Sequence, residues 1–508
     1  MKLELETKLR QSKTGDHPDQ KSIRESTENL MKTNFISDDR FFEFEFLVVL
    51  NRSNLTQLNT DLKLANQALN TLAYFRVETF GAGSSFLATL PGNHQHVTLK
   101  ETAKTLSLLF PLYHFGETKL RSDSQIKSNL LPLHRKDHSI FNFDLFSQDK
   151  NVFNSLIIGT SGKGKSVLTG LLTQSLLNDP NVEIIKVDVG GSHSKECELL
   201  GGREYIVQLS LPTGINPFEI LNYPEICDSE KISILSRFLI VLIQEEIETF
   251  TTKELRSNVE ASLASYLTEF SEPTLQDFYN KQKNFPRKNL LSRWVHGGVF
   301  QNVFAKNLNS TQENCKLKYY NFSQVFQASD PEFTKALIAA VLTEFNRSTL
   351  LNINKRIVLI CDETPFFIKS CFDFFKFTTA NVRKFGHAVI LISQLSTDLI
   401  VNGDTGIIEN SPTRFLFSSD GELEAFKARF NLSDQDMKTL LNLKSIPGIK
   451  SDVILQENGI AKQLQILITK NEYWQLTSTK SDNVKLEKLR GAVPELSLDE
   501  AIKCLSAI

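Results

Sequence analysis

Ser155-Leu156-Ile157-Ile158-Gly159-Thr160-Ser161-Gly162-Lys163-Gly164-Lys165-Ser166 is the stretch on which the fold turns. An apolar run shaped like a buried strand stops at a glycine-rich loop, and residues 167–177 continue with helical spacing. Every fixed position of GxxxxGK[ST] is filled, and strand, loop and helix follow in the order the pattern requires. The chemistry explains the residue types. Gly159, Gly162 and Gly164 let the backbone of Gly159, Thr160, Ser161, Gly162, Lys163 and Gly164 curl, so that several N–H groups converge on a phosphate. Lys165 then supplies a point charge to the β- and γ-phosphates, and Ser166 offers a hydroxyl to Mg²⁺. ATP and Mg²⁺ are the expected ligands.

A second stretch completes the expectation. Arg356-Ile357-Val358-Leu359-Ile360-Cys361-Asp362-Glu363 is an apolar run that ends on two adjacent carboxylates. At a strand's C-terminal end, where open α/β sheets bind ligands, Asp362 is placed to hold the metal. Glu363 is placed to polarise the attacking water. Further on, Arg383-Lys384-Phe385-Gly386-His387 precedes an apolar strand that ends in Ser393-Gln394. Gln394 is a candidate γ-phosphate sensor. Arg383 is a candidate arginine finger reaching a neighbouring subunit's nucleotide, with Arg414 as the other choice.

Outward from these motifs the chain reads as α/β. Strands are expected at 152–158, 183–187, 318–321, 357–361, 388–392 and 414–417, alternating with amphipathic helices, the pattern of a mostly parallel sheet. Lys165 and Asp362 stand 197 positions apart in the sequence. The mainly helical stretch of about 219–310, with helices expected near 231–247 and 253–270, reads as a domain inserted between the halves of the site. It reads equally as a lever that moves with nucleotide state or as passive bulk. The expected architecture is a RecA-like P-loop core over 141–508 with that helical insertion, preceded by a small α+β domain over 41–140 and a polar arm or helices over 1–40. In the small domain Phe42, Phe44, Phe46 and Val48 alternate with acids as a half-buried strand, and Asn54 caps a helix carrying Leu55, Leu58, Leu62, Ala65, Leu69 and Leu72. Residues 74–80 read as a second strand. Phe366, Phe367, Phe372, Phe374, Phe375 and Phe377 read as core packing.

Composition excludes several function classes. The chain of 508 residues is 41% hydrophobic and 23% charged, ordinary for folded domains and unlike a disordered chain. Its 57 Lys+Arg against 59 Asp+Glu give a net charge of −2, which argues against a uniformly basic nucleic-acid binder. No apolar run approaches the roughly 18 residues of a spanning helix. Met1-Lys2-Leu3-Glu4-Leu5-Glu6 lacks the apolar core of an export signal. The six cysteines are scattered without a CxxC pair, so reduced thiols are expected.

Taken in order, further phrases resemble the TraC-like ATPases of type IV secretion and conjugation, within the FtsK–HerA class of ring-forming P-loop motors. They are Phe141-Asn142-Phe143-Asp144, Val187-Asp188-Val189-Gly190-Gly191, Gly214-Ile215-Asn216-Pro217-Phe218, Pro273-Thr274-Leu275-Gln276-Asp277-Phe278 and Gly297-Gly298-Val299-Phe300. Glu409-Asn410-Ser411-Pro412-Thr413 and Ile446-Pro447-Gly448 follow late in the chain. The resemblance implies a cytoplasmic ATPase, peripheral to the bacterial inner membrane through other secretion-channel subunits. In that family it powers pilus assembly or substrate transfer, often as a hexameric homo-oligomer. It also implies the phosphate and magnesium roles for Lys165 and Ser166, the metal and water roles for Asp362 and Glu363, and the trans and sensor roles for Arg383 and Gln394. The chain departs from the family at Ser192, where the usual Asp-Pro-x-Gly-Glu would place a carboxylate, and in the short stretch before the P-loop. Two other readings remain: a DNA-translocating ring motor, either a coupling protein or HerA-like, and a nucleotide-binding structural subunit with little turnover.

Overall fold

The structure is a computed structural model. It describes residues 41–44, 48–50, 52–69, 77, 82–88, 99–102, 130–137, 139–208, 212–244, 252–301, 303–304, 315–327, 331–352, 354–369, 371–418, 423–493 and 495–507. The chain divides into two compact units, Met1–Lys119 and Leu120–Ile508.

In the first unit β1 (Phe41–Phe44) pairs antiparallel with β2 (Leu99–Thr102), Phe41 lying opposite Thr102. A helix runs Leu55–Leu69 and a second Ala82–Ala88. Asn54 Oδ1 accepts from Thr56 N at 2.8 Å, which satisfies one of the orphan amides of a helix start. The expected arm over 1–40 and the expected strand at 74–80, apart from Val77, lie outside the described residues.

The second unit is organised on a twelve-stranded sheet. Its parallel part runs in the order β11 (Thr413–Leu416), β5 (Ser155–Ile158), β10 (Ala388–Ser393), β9 (Arg356–Cys361), β6 (Val182–Asp188), β8 (Leu317–Asn321) and β7 (Arg203–Ile206). Beyond β11 the sheet turns antiparallel through β13 (Lys450–Glu457), β14 (Ile460–Leu467), β3 (Leu131–His134) and β4 (Ile140–Phe143), with the short β12 (Ser445–Ile446) folded back on β13. The fold is thus α/β with a large, mostly parallel sheet. Residues 131–143 enter this sheet, whereas the sequence reading set the start of the ATPase domain at 141. Leu131, Leu133, Phe141 and Phe143 point into the core and hold the β3–β4 hairpin to the sheet.

Alternation along the strands divides the core in two. Leu156 and Ile158 of β5, with Ile357, Leu359 and Cys361 of β9, face one layer of helices. Ile157, Val358, Ile360, Ile390 and Ile392 face the other, where Leu168, Leu172 and Leu176 of the helix Lys165–Leu177 cover them. Central strands apolar on both faces are what a parallel sheet under two helical layers demands.

The helical stretch after β7 contains Asp228–Ile243, Lys253–Glu269, Leu275–Lys281 and Lys288–Leu291. It shares its core with the long helix Pro331–Leu351: Trp294 stacks on Phe333 with ring centroids 6.3 Å apart. Two phrases singled out in the sequence meet here. Asn216 Nδ2 donates to the Pro273 carbonyl at 2.8 Å, and the Phe218 and Phe278 rings lie 5.4 Å apart. Phe372, Phe374 and Phe375 are buried, and Phe377 carries the Arg237 guanidinium on its face. Phe366 is half exposed, and the Phe367 side chain lies outside what is described. Among the described residues no helix is long and apolar enough to cross a membrane.

One buried side chain ties the central strands to the layer behind them. Asn154 donates from Nδ2 to the Thr379 and Asn410 carbonyls at 2.8 and 2.9 Å and accepts from Val389 N at 3.0 Å. Asn154→Ala would orphan all three partners, and is expected to cost about 3 kcal/mol. A urea midpoint unchanged in that variant would show these bonds to be dispensable.

Candidate nucleotide site

The glycine-rich loop leaves β5 between its two parallel neighbours and is fastened to both. Gly159 N donates to the Ser393 carbonyl at the end of β10 at 3.3 Å, and Thr160 N and Oγ1 reach the Ser418 carbonyl beyond β11 at 3.4 and 3.2 Å. A side chain at Gly159 would place its Cβ 2.5 Å from Phe417 Cβ, so only glycine permits this approach. Gly162 and Gly164 take left-handed backbone angles, φ 76° and 105°, and Gly164 also lies against Ser451 of β13. The loop thereby ends on the first turn of Lys165–Leu177, whose free amides make it an anion cradle. Ser166 stands half-buried on that turn. Lys165 Nζ donates back to the Gly159 and Thr160 carbonyls at 2.6 and 3.2 Å, in the space the loop encloses. Burial holds its pKa below the ordinary lysine range, while Asp362 and Glu363 pull the other way.

The two carboxylates arrive on the same edge from β9. Asp362 N donates to the Val187 carbonyl of β6, and Asp362 Oδ1 accepts from Glu363 N at 2.8 Å. Asp362 Oδ2 lies 3.2 Å from His193 Nε2. Burial opposes ionisation of Asp362, but the hydrogen bond and charge of His193 outweigh it and the pKa is lowered. Glu363 is half-buried. Its pKa is raised, first by burial and then by the charges of Asp188 and Asp362, with Lys165 offsetting part of the effect. Its backbone sits at φ 52°, a left-handed conformation that costs a non-glycine residue free energy and recurs at functional sites. Asp188, at the end of β6, accepts from Gly190 N and Ser192 N at 2.7 and 2.5 Å and from the Tyr319 hydroxyl at 3.2 Å. A Cβ at Gly190 would stand 3.4 Å from Asp188 Oδ1 and 3.7 Å from Glu363 Oε2, so the end of β6 and Glu363 converge.

Because β10 lies between β5 and β9, its C-terminal end falls between the loop and the carboxylates. Gln394 follows Ser393 there and is exposed. Lys165, Ser166, Asp362, Glu363 and Gln394 therefore share one edge of the sheet. Arg383 does not. It is exposed in the turn Val382–Phe385 ahead of β10, at the opposite edge, a strand length of about 20 Å away. Arg414, near the start of β11, is held by the Ser411 and Ile408 carbonyls and by Gln456 Oε1. Neither arginine reaches the loop of its own chain.

Sequence reasoning missed the residues behind the carboxylates. His193, Glu196 and Lys186 are all buried, and Lys186 Nζ pairs with Glu196 Oε2 at 2.6 Å. Burial disfavours the charged imidazole, as does Lys186, yet the bonds to Asp362 and Glu196 raise the His193 pKa to about 9. Burial likewise works against the Glu196 carboxylate, but Lys186 and His193 bring its pKa down to about 2. The available signal was positional: His193 closely follows β6, which pairs with β9 and so ends on the same edge.

The donor set suits Mg²⁺. Such an ion takes oxygen ligands and keeps several waters, needing only a carboxylate or two besides phosphate oxygens. Ser166 and Asp362 would supply that. Among the described residues no cluster of three or more His, Cys, Asp or Glu forms an all-protein metal cage.

A glycine-rich loop opening onto a helix, with an Asp-Glu pair two strands away on the same edge of a parallel sheet, defines a P-loop nucleotide-binding protein. Comparison with known proteins narrows the class. Residues 142–309 match the family model of the TraG P-loop domain, a segment that contains the loop and ends before β9. VirB4 of Thermoanaerobacter pseudethanolicus superposes with a TM-score of 0.53 at 18% identity, over 68% of this chain and 98% of that one. The plasmid coupling protein TrwB in complex with an ATP analogue gives 0.45 at 14% identity, over 64% and 86%. The conjugation coupling protein TcpA of pCW3 gives 0.30 at 12%, over 85% and 91%. No curated protein matches. Residues 142–309 thus carry a TraG-type P-loop segment, and the fold is shared with VirB4.

Proposed function

We propose that this chain hydrolyses ATP to drive a type IV secretion or conjugation machine, working on the cytoplasmic side of the membrane as a ring of identical subunits. The observation that carries the reading is the convergence of Lys165, Asp362, Glu363 and Gln394 on one sheet edge around a loop shaped for phosphates. The loop amides and Lys165 hold the phosphates in this reading. Ser166 and Asp362 would hold Mg²⁺, which when bound would supply positive charge to the phosphates. Glu363 orients the attacking water and takes its proton, for which a raised pKa suits it. Gln394 meets the γ-phosphate from β10.

Arg383 is exposed and far from its own loop, so any role it has at a nucleotide would be at a neighbour's. Arg383→Ala is expected to lower kcat about 1000-fold in the assembled ring while leaving nucleotide affinity near wild type. Full turnover in that variant would remove it from the mechanism.

Phosphate release measured with and without DNA, across salt concentrations, tests the wider reading. A secretion motor is expected to turn over ATP without DNA. Strong, salt-sensitive stimulation by DNA would instead make it a DNA translocator.

A further inference from the structure

We infer that His193 is a positioning residue of the hydrolytic site, holding the Asp362 carboxylate in the one orientation from which it can serve a metal. The inference rests on the ATPase reading above. His193 lies between two carboxylates: Nε2 is 3.2 Å from Asp362 Oδ2 and Nδ1 is 2.8 Å from Glu196 Oε2. Each ring nitrogen lies within hydrogen-bond distance of a carboxylate oxygen, so the ring cannot turn without losing both contacts. Glu196 is fixed in turn by Lys186, whose ammonium also approaches Thr173 Oγ1 at 3.4 Å. His193, Glu196 and Lys186 are each under 5% exposed, so no water competes for these bonds.

The far end of the chain of contacts is rigid. Lys186 stands on β6, which pairs with β9 through six residue pairs including Val187 with Cys361. Glu196 stands on the helix Ser194–Leu199, and Thr173 on the helix that begins at the P-loop. The Asp362 carboxylate is consequently held at both oxygens, by His193 on one side and by Glu363 N on the other. A buried histidine serving only the core would need one or two carbonyl partners. His387 does this, accepting from Ile357 N and donating to the Thr349 carbonyl. His193 instead joins the proposed metal carboxylate to a buried ion pair, the arrangement by which outer groups orient a metal ligand.

Two substitutions separate the bonds. The amide of His193→Gln extends to the Nε2 position and keeps a donor toward Asp362. That of His193→Asn stops at the Nδ1 position and keeps only Glu196. His193→Asn is expected to lose at least about tenfold in kcat with the KM for ATP within about twofold, whereas His193→Gln stays within about threefold of wild type. A second readout is binding: titration of a fluorescent ATP analogue with Mg²⁺ should need about tenfold more Mg²⁺ in His193→Asn than in wild type. Thermal melting checks that each variant folds. If His193→Asn does not fold, Glu196→Ala, which removes the second partner of the ring without touching Asp362, is expected to raise the Mg²⁺ requirement in the same direction but by less. Equal losses in Gln and Asn variants, or an unchanged Mg²⁺ requirement, would overturn the inference. A wild type that binds Mg²⁺-nucleotide without turning it over would sink the ATPase reading alone, and the Mg²⁺ titration would still decide the role of His193.

Discussion

Glu363→Gln is expected to bring steady-state ATP hydrolysis down about 1000-fold, the scale of a lost general base, while nucleotide still binds. The side chain keeps its length and its hydrogen-bonding shape but can no longer accept a proton. Its surroundings support the assignment. Glu363 is half-buried beside Asp188 and Asp362, which with burial raise its pKa, and the nearby Lys165 keeps the effect moderate. The left-handed backbone at φ 52° is a cost that glutamine shares, so stability should hardly change. Removing a negative charge near the γ-phosphate should leave affinity equal to or tighter than wild type. Phosphate release and fluorescent-nucleotide binding, measured on the same preparation, check both halves. Hydrolysis at the wild-type rate would assign the base elsewhere.

Lys165→Ala is expected to do the opposite and weaken binding itself, by on the order of 100-fold, because charge-assisted contacts to phosphate are among the strongest polar interactions. In the structure the ammonium already occupies the loop, donating to the Gly159 and Thr160 carbonyls. It is also the charge that offsets the repulsion among Asp362 and Glu363. With phosphates present these contacts would be exchanged for contacts to phosphate oxygens. The fold should survive, since the loop is anchored by backbone bonds to Ser393 and Ser418 and not by this side chain. Calorimetric titration with Mg-ATP measures the loss. Affinity within twofold of wild type would show that the loop does not bind phosphate through Lys165.

The nucleotide loop was legible because its determinants are local. Strand, glycines, lysine and helix follow one another within a single motif, and the structure begins the helix at Lys165. The expected parallel strands were legible for a related reason: buried on both faces, they read as continuous apolar runs, and β6, β8, β9, β10 and β11 appear close to their expected positions. The antiparallel extension was not read, although it left a signal. Asn458-Gly459 links β13 to β14 with both residues at positive φ, 49° and 79°, the backbone of a two-residue hairpin turn. Strand β3 escaped because it is four residues long and contains Pro132, which ordinarily argues against a strand.

Strand order was beyond the sequence as well. Nothing in the residues of β10 says that it lies between β5 and β9, yet that placement puts Gln394 beside the site and sends Arg383 to the far edge. His193 is the clearest case. A lone histidine in a loop carries no motif, and its meaning comes from Asp362, which stands 169 positions later and 3.2 Å away.

The central claim is that the edge formed by β5, β10 and β9 hydrolyses ATP. Phosphate release by the purified full chain, titrated with ATP in the presence and absence of Mg²⁺, tests it most directly. The expected result is saturable, Mg²⁺-dependent turnover that disappears in both Glu363→Gln and Lys165→Ala. Turnover that persists in those variants, or none in a wild type that binds Mg-ATP and assembles, would contradict it.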